Sequence, residues 1–183
     1  MKKSAFTLVE VVVAFVVMAI VMTAVLQSIG AFLQTTQRLN LVRETQREVS
    51  FALTKIGDTI RNESIDYEAY SSTGKCKTLA LGDPQEQICL GNQWRLDFDN
   101  TVDDENLFVW KDDQKGPLFS QSVIVKNATF TISPEKNPDS PEAWGNAALQ
   151  RQPIVDVSLT VASRRDPSIE FVLSTSYSAR VYK

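Results

Sequence analysis

The chain has 183 residues, a formal net charge of -3, no histidine, and 43% apolar against 22% charged residues. That length leaves room for about one soluble domain beside a membrane segment, and the weak negative balance without a broad basic stretch predicts no nucleic-acid surface. The lack of histidine removes the usual neutral-pH proton shuttle and the commonest zinc ligand, and no nucleophile-base pairing is visible, so an enzyme is not expected.

The chain opens with Met1-Lys2-Lys3-Ser4-Ala5-Phe6-Thr7-Leu8-Val9-Glu10, followed by an apolar run from Val11 to Met22 that continues through Ala24, Val25 and Leu26. Glu10 is the only charged residue between Lys3 and Arg38. A helix from Phe6 to Leu26, rising about 1.5 Å per residue, reaches roughly 30 Å and can cross a hydrocarbon core. Lys2 and Lys3 before the run keep the extreme N-terminus cytoplasmic and send the remainder outward. A secretory signal peptide has a shorter, uncharged hydrophobic region. A plain signal anchor has the length but no use for a carboxylate, which is costly at such depth and marks function.

The run Lys2-Lys3-Ser4-Ala5, then Phe6-Thr7-Leu8-Val9-Glu10-Val11-Val12-Val13-Ala14, resembles the class III signal of type IV pilins and pseudopilins. The resemblance implies cleavage by prepilin peptidase between Ala5 and Phe6, methylation of the new amino group, and retention of the apolar segment as an anchor. Ala5 stands where the family usually has Gly, and is likewise small. The resemblance also implies that Glu10 pairs with the Phe6 amine of a neighbouring subunit. A carboxylate in an apolar bundle is tolerated only when paired or neutralised, and such a pair sets register more than stability.

Beyond Leu26, apolar or small residues recur at Ile29, Phe32, Leu33, Thr36, Leu39, Val42, Val49, Leu53, Ile56 and Ile60, which is helical spacing. No proline occurs before Pro84, so one helix to about Asn62 is predicted, with Gly30 its only early weak point. Arg38, Arg43, Glu44, Arg47 and Glu48 form its charged face, which either meets solvent or contacts other subunits.

After Tyr70, short β-branched and aromatic runs separated by Gly, Pro, Asp and Asn predict antiparallel strands. The predicted strands are Lys77 to Leu81, Gln87 to Leu90, Trp94 to Phe98, Leu107 to Lys111, Val123 to Ser133, Ile154 to Ala162 and Ile169 to Tyr177. In Val155-Asp156-Val157-Ser158-Leu159-Thr160-Val161 one face is apolar throughout and should lie against the long helix. Gly91-Asn92 predicts a tight hairpin, Asp112 to Gly116 a looser one, and the proline-rich stretch from Pro134 to Pro153 an exposed loop.

Cys76 and Cys89 lie where a disulfide closing a short loop is expected outside the cytoplasm, worth roughly 3 kcal/mol; in a cytosolic setting they would be free thiols. Asp97, Asp99, Asn100, Asp103, Asp104 and Glu105 form the densest acidic cluster, a set of oxygens that suits calcium, although EF-hand spacing is absent and a solvated strand-loop segment has the same composition. No other cofactor or metal is expected. Trp94 and Trp110 are expected in the core, and Trp144 is an adhesion candidate. Arg164-Arg165 is a thin basis for phosphate contacts and reads as a solvated turn. Leu107-Phe108-Val109-Trp110-Lys111, Gly116-Pro117-Leu118, Val123, Trp144 and Pro153-Ile154-Val155-Asp156-Val157 in this order also resemble, more weakly, the heads of PulJ/PilW-type minor pilins.

Together these readings predict an α+β pilin fold in which a long N-terminal helix packs on an antiparallel sheet: leader 1–5, membrane and filament-core helix 6–26, amphipathic continuation 27–62, and β-rich head 63–183. The resemblance implies a minor pilin or minor pseudopilin whose partners are other such subunits, prepilin peptidase, an inner-membrane assembly platform and membrane lipid. The head would lie outside the cytoplasm, in a surface pilus or a periplasmic pseudopilus. A type II secretion or competence pseudopilin shares the same N-terminus. A signal-anchored adhesive or sensor head that never polymerises is the reading from a different class.

Overall fold

A computed structural model of the chain describes residues 8–70, 76, 83–99, 106–138, 140 and 151–179. Its first element is one α-helix, α1 (Leu8–Asn62). The valine-rich first half has only modest helix propensity in water. In an apolar medium, however, every backbone donor and acceptor must be satisfied within the segment, and the helix is the single-chain way to do so. The chain divides into two compact units, Met1–Leu41 and Val42–Lys183. In the first, the described residues are exposed except for the half-buried Thr36 and Leu41. In the second, Thr45, Val49, Ala52, Ile56, Gly57, Thr59 and Ile60 bury one helical face.

A single 3-10 turn, Glu68–Tyr70, leads to the strands: β1 (Gln87–Cys89), β2 (Arg95–Asp99), β3 (Asn106–Lys111), β4 (Gln114–Pro117), β5 (Val123–Ser133), β6 (Ile154–Ser163) and β7 (Glu170–Ser178). The predicted strands from Gln87 onward fall on β1, β2, β3, β5, β6 and β7 with ends shifted by a residue or so, whereas Lys77 to Leu81 lies outside the described residues. The strands form two antiparallel sheets in place of the single sheet expected, β1-β2-β3-β4 and β5-β6-β7. The last paired strand residue of the first sheet is Pro117, and just beyond it the Leu118 amide still donates to the Leu107 carbonyl at 2.8 Å. Just before β1, Gln85 exchanges backbone hydrogen bonds of 2.8 and 2.7 Å with Phe130 of β5, which brings the start of the first sheet against the second.

β4 was not expected, because Asp112 to Gly116 reads as a loose turn. The connection is tighter: Asp112 and Asp113 alone turn the chain, at φ 49° and 64°, and Lys111 already pairs with Gln114. Two successive left-handed residues make the hairpin turn whose twist matches its strands. The preceding hairpin turns one residue later than expected, at Asn92 and Gln93 (φ 53° and 62°), with the Trp94 amide donating to Gly91 at 3.2 Å. In β5 the register shifts between Val125 and Asn127. This bulge lets Val123 and Val125 before it, and Ala128, Phe130 and Ile132 after it, all face inward.

The core joins Ile56 and Ile60 of α1 to Leu96, Leu107, Phe130, Val155 and Leu159, so the apolar face of β6 lies in the core that the helix also builds. Gly57 is where α1 meets β7: the Tyr177 ring occupies the space a side chain would take, and its hydroxyl donates to the Leu53 carbonyl at 2.8 Å. Part of the charged helix face serves the head itself. Glu48 accepts from the Ser120 amide at 3.3 Å, and Glu44 lies 4.0 Å from Arg165.

Candidate functional site

The apolar half of α1 is the feature most unlike a folded domain. Its most apolar 18-residue window has a mean hydropathy of 2.8 and none of it is buried, so it is long and apolar enough to cross a membrane. Leu8, Phe15, Ile20 and Leu26 are each about two-thirds exposed or more, a cost in water that only an apolar surrounding or other helices remove. The few hydroxyls on this helix are hidden from that surrounding. Thr23, Ser28, Thr35 and Thr36 each donate to the carbonyl four residues back at 2.8 to 2.9 Å. Gly30 has open space around its Cα, so among the described residues no contact requires a glycine there.

Glu10 lies in the first turn of α1 and is exposed. A carboxylate suits that position, because unsatisfied backbone N–H groups give the helix start partial positive charge. The same position places an acid among Leu8, Val9, Val11 and Val12 on an apolar rod, where a carboxylate is costly and marks function. Ala5 and Phe6, the expected processing residues, lie outside the described residues.

In the head, Cys76 and Cys89 are bonded as a disulfide, with Cα atoms 6.4 Å apart and both residues buried. The Cys89 amide donates to the Tyr70 hydroxyl at 2.8 Å, and burial pushes that phenol up to about 12. The carboxylate of Asp66 works in the same direction, while the bond from Cys89 works against it. Of the acidic cluster, Asp97 and Asp99 are half-buried two residues apart on β2, and Asp99 is bridged to Lys115 at 3.2 Å. Asp103, Asp104 and Glu105 lie outside the described residues, as does Asn100. Among the described residues no group of three or more acidic, histidine or cysteine side chains could hold a metal.

Trp94 packs against the core with the Lys111 ammonium 4.9 Å above its ring. Trp110 corrects the expectation of a core position. On β3 the core side is taken by Leu107 and Val109, so alternation sends Phe108 and Trp110 to the other face, where the Arg95 guanidinium stacks 4.4 Å over the indole. Arg164 and Arg165 are exposed turn residues, Arg165 facing Glu44, and Trp144 lies outside the described residues. Sequence reasoning missed Gly57 and Tyr177 as partners. A glycine on the buried face of an otherwise glycine-poor helix was the signal that pointed to a close approach.

An exposed apolar helix with an acid in its first turn, followed by antiparallel sheets, is the α+β arrangement of the pilin fold. Residues 1–26 match the family model described as the prokaryotic N-terminal methylation motif. That motif, with the long apolar helix that follows, is consistent with a type IV pilin-like protein that prepilin peptidase processes, and it points to a structural subunit. No curated protein and no solved structure gives a significant match to the chain.

Proposed function

We propose that this chain is a minor pilin or minor pseudopilin, cut between Ala5 and Phe6 and assembled into a type IV pilus-like filament through α1. The observation that carries this reading is Glu10: an exposed carboxylate in the first turn of an apolar helix, inside a matched methylation motif. A single buried charge in such a bundle is stable only against a fixed opposite charge, and the amine that cleavage creates at Phe6 of a neighbouring subunit supplies it. The pair places each new subunit at one axial position. The head then sits outside the cytoplasm, where the Cys76–Cys89 bond persists. The subunit itself performs no catalysis. The weaker resemblance of the head to PulJ/PilW-type minor pilins is what favours a minor over a major subunit.

Intact mass of the protein recovered from membranes tests the first half: loss of the five leader residues and gain of one methyl group are expected. Glu10→Ala tests the second half. The variant should still be cut, because the scissile bond is unchanged, but should drop out of assembled filaments. A recovered chain that keeps Met1, or a Glu10→Ala variant that enters filaments normally, overturns the proposal.

A further inference from the structure

The two sheets have four edges, and three of them are blunted. β1 is three residues long and ends at the disulfide. β4 carries Lys115, Gly116 and Pro117, which are residues that discourage added strands. β5 is bridged at Phe130 by Gln85. β7 differs: it runs nine residues, Glu-Phe-Val-Leu-Ser-Thr-Ser-Tyr-Ser, without proline or glycine. Its one charge, Glu170, is held by Lys126 of β5.

The backbone of β7 has a definite polarity. The Ser163 amide donates to Ile169, and the Ala179 amide donates to Pro153, so odd-numbered residues at both ends turn their groups toward β6. Alternation along an antiparallel pair then sends the N–H and C=O groups of Glu170, Val172, Ser174, Ser176 and Ser178 to the opposite edge. Among the described residues no strand pairs there. The side chains report the same gap. Val155, Val157, Leu159 and Val161 of β6 are at most 1% exposed, yet their partners Tyr177, Thr175, Leu173 and Phe171 on the same face are only half-buried. What separates the two rows is a neighbouring strand.

We propose that this edge of β7 docks an extended strand of a different polypeptide, uncharged and apolar at every second residue. A row of alternating backbone donors and acceptors is satisfied only by another extended backbone, and an apolar alternate row finishes covering Phe171, Leu173 and Tyr177. A second copy does not fit through the same edge. α1 runs alongside β7 in the same direction, Glu44 lying near Arg165 and Leu53 bonded to Tyr177, so antiparallel β7-β7 pairing would reverse α1 between the copies, contrary to the common membrane insertion proposed above. Parallel pairing turns one sheet over and lays Ser174, Ser176 and Ser178 beside the apolar row. The proposal stands independently of the assembly role of Glu10.

The test is hydrogen exchange on the full chain in detergent micelles, with and without a synthetic peptide of residues 157–163, which is uncharged and apolar at every second residue. Alone, the Val172, Ser174 and Ser176 amides should exchange fast while Leu173 and Thr175 are protected. Peptide should slow the three even-numbered amides about tenfold or more. Ser174→Pro removes an outward donor without touching the β6 ladder, and should abolish that slowing while β6 stays protected. If this variant loses β6 protection, Ser174→Lys replaces it and should weaken the peptide effect. Three results overturn the proposal. The even-numbered amides are already slow in the chain alone, meaning that the chain or a second copy fills the edge. The peptide leaves them fast. Or the edge variant responds as the wild type does.

Discussion

Gly57→Ala reverses the usual sign of a helix substitution. In an exposed helix interior the change adds about 1 kcal/mol of stability through propensity. Here a Cβ would fall 2.9 Å from Cδ1 and 3.0 Å from Cζ of Tyr177, well inside the roughly 3.5 Å at which carbon atoms attract. The ring must withdraw, which strains the packing by about 1–3 kcal/mol and breaks the 2.8 Å bond to the Leu53 carbonyl, a further loss near 1 kcal/mol. The Arg61 guanidinium, 5.6 Å from the ring centroid, loses its stacking as well. The expected net effect is a destabilisation of about 1–3 kcal/mol. The assay is urea unfolding of the full chain in micelles, followed by tryptophan fluorescence, for wild type, Gly57→Ala, Tyr177→Ala and the double variant. In the Tyr177→Ala background the clash is gone, so Gly57→Ala should there stabilise by about 1 kcal/mol. A higher midpoint for Gly57→Ala alone, or a coupling energy below roughly 0.5 kcal/mol, would refute the close approach.

Two further outcomes follow from the head. Reducing the Cys76–Cys89 bond opens a loop whose ends lie 13 positions apart in sequence, and should lower unfolding stability by about 3 kcal/mol; equal midpoints with and without reductant would contradict this. Tyr70, at about 12 against the usual 10.0, binds its proton more tightly folded than unfolded. Its contribution is therefore complete below about pH 10 and is lost between about pH 10 and pH 12, at roughly 1.4 kcal/mol per unit. Tyr70→Phe should flatten that alkaline slope while leaving the Cys89 amide without its acceptor, at a cost of about 1–3 kcal/mol at neutral pH; an unchanged slope would show that other groups carry it.

Much of the architecture was legible from local patterns. The limits of α1 followed from the apolar run, the later 3.6-residue spacing and the lack of proline before Pro84, all of which act along a single segment. The same holds for β5, β6 and β7, whose alternation reports one buried face whatever the strand packs against. Trp110 was not legible. β3 carries apolar residues on both faces, so its sequence is equally compatible with either face inward, and only the demand for Leu107 in the core settles the choice. β4 was missed because Asp112-Asp113 lacks the glycine that marks most two-residue turns, although both positions adopt left-handed backbone.

By itself the sequence determined the apolar helix and its acid: an apolar stretch long enough for a bilayer, with Glu10 its only charge, is a property of composition and needs no fold to be recognised. It also determined that the head would be built from short antiparallel strands over an amphipathic helix. The tertiary structure alone decided the division into two sheets, the notch at Gly57 and the edge position of β7 among the described strands. Each of these depends on which residues far apart in the chain compete for one space. Periodicity names the buried face of an element but says nothing about its neighbour, and an edge is defined only once every other strand has taken its place.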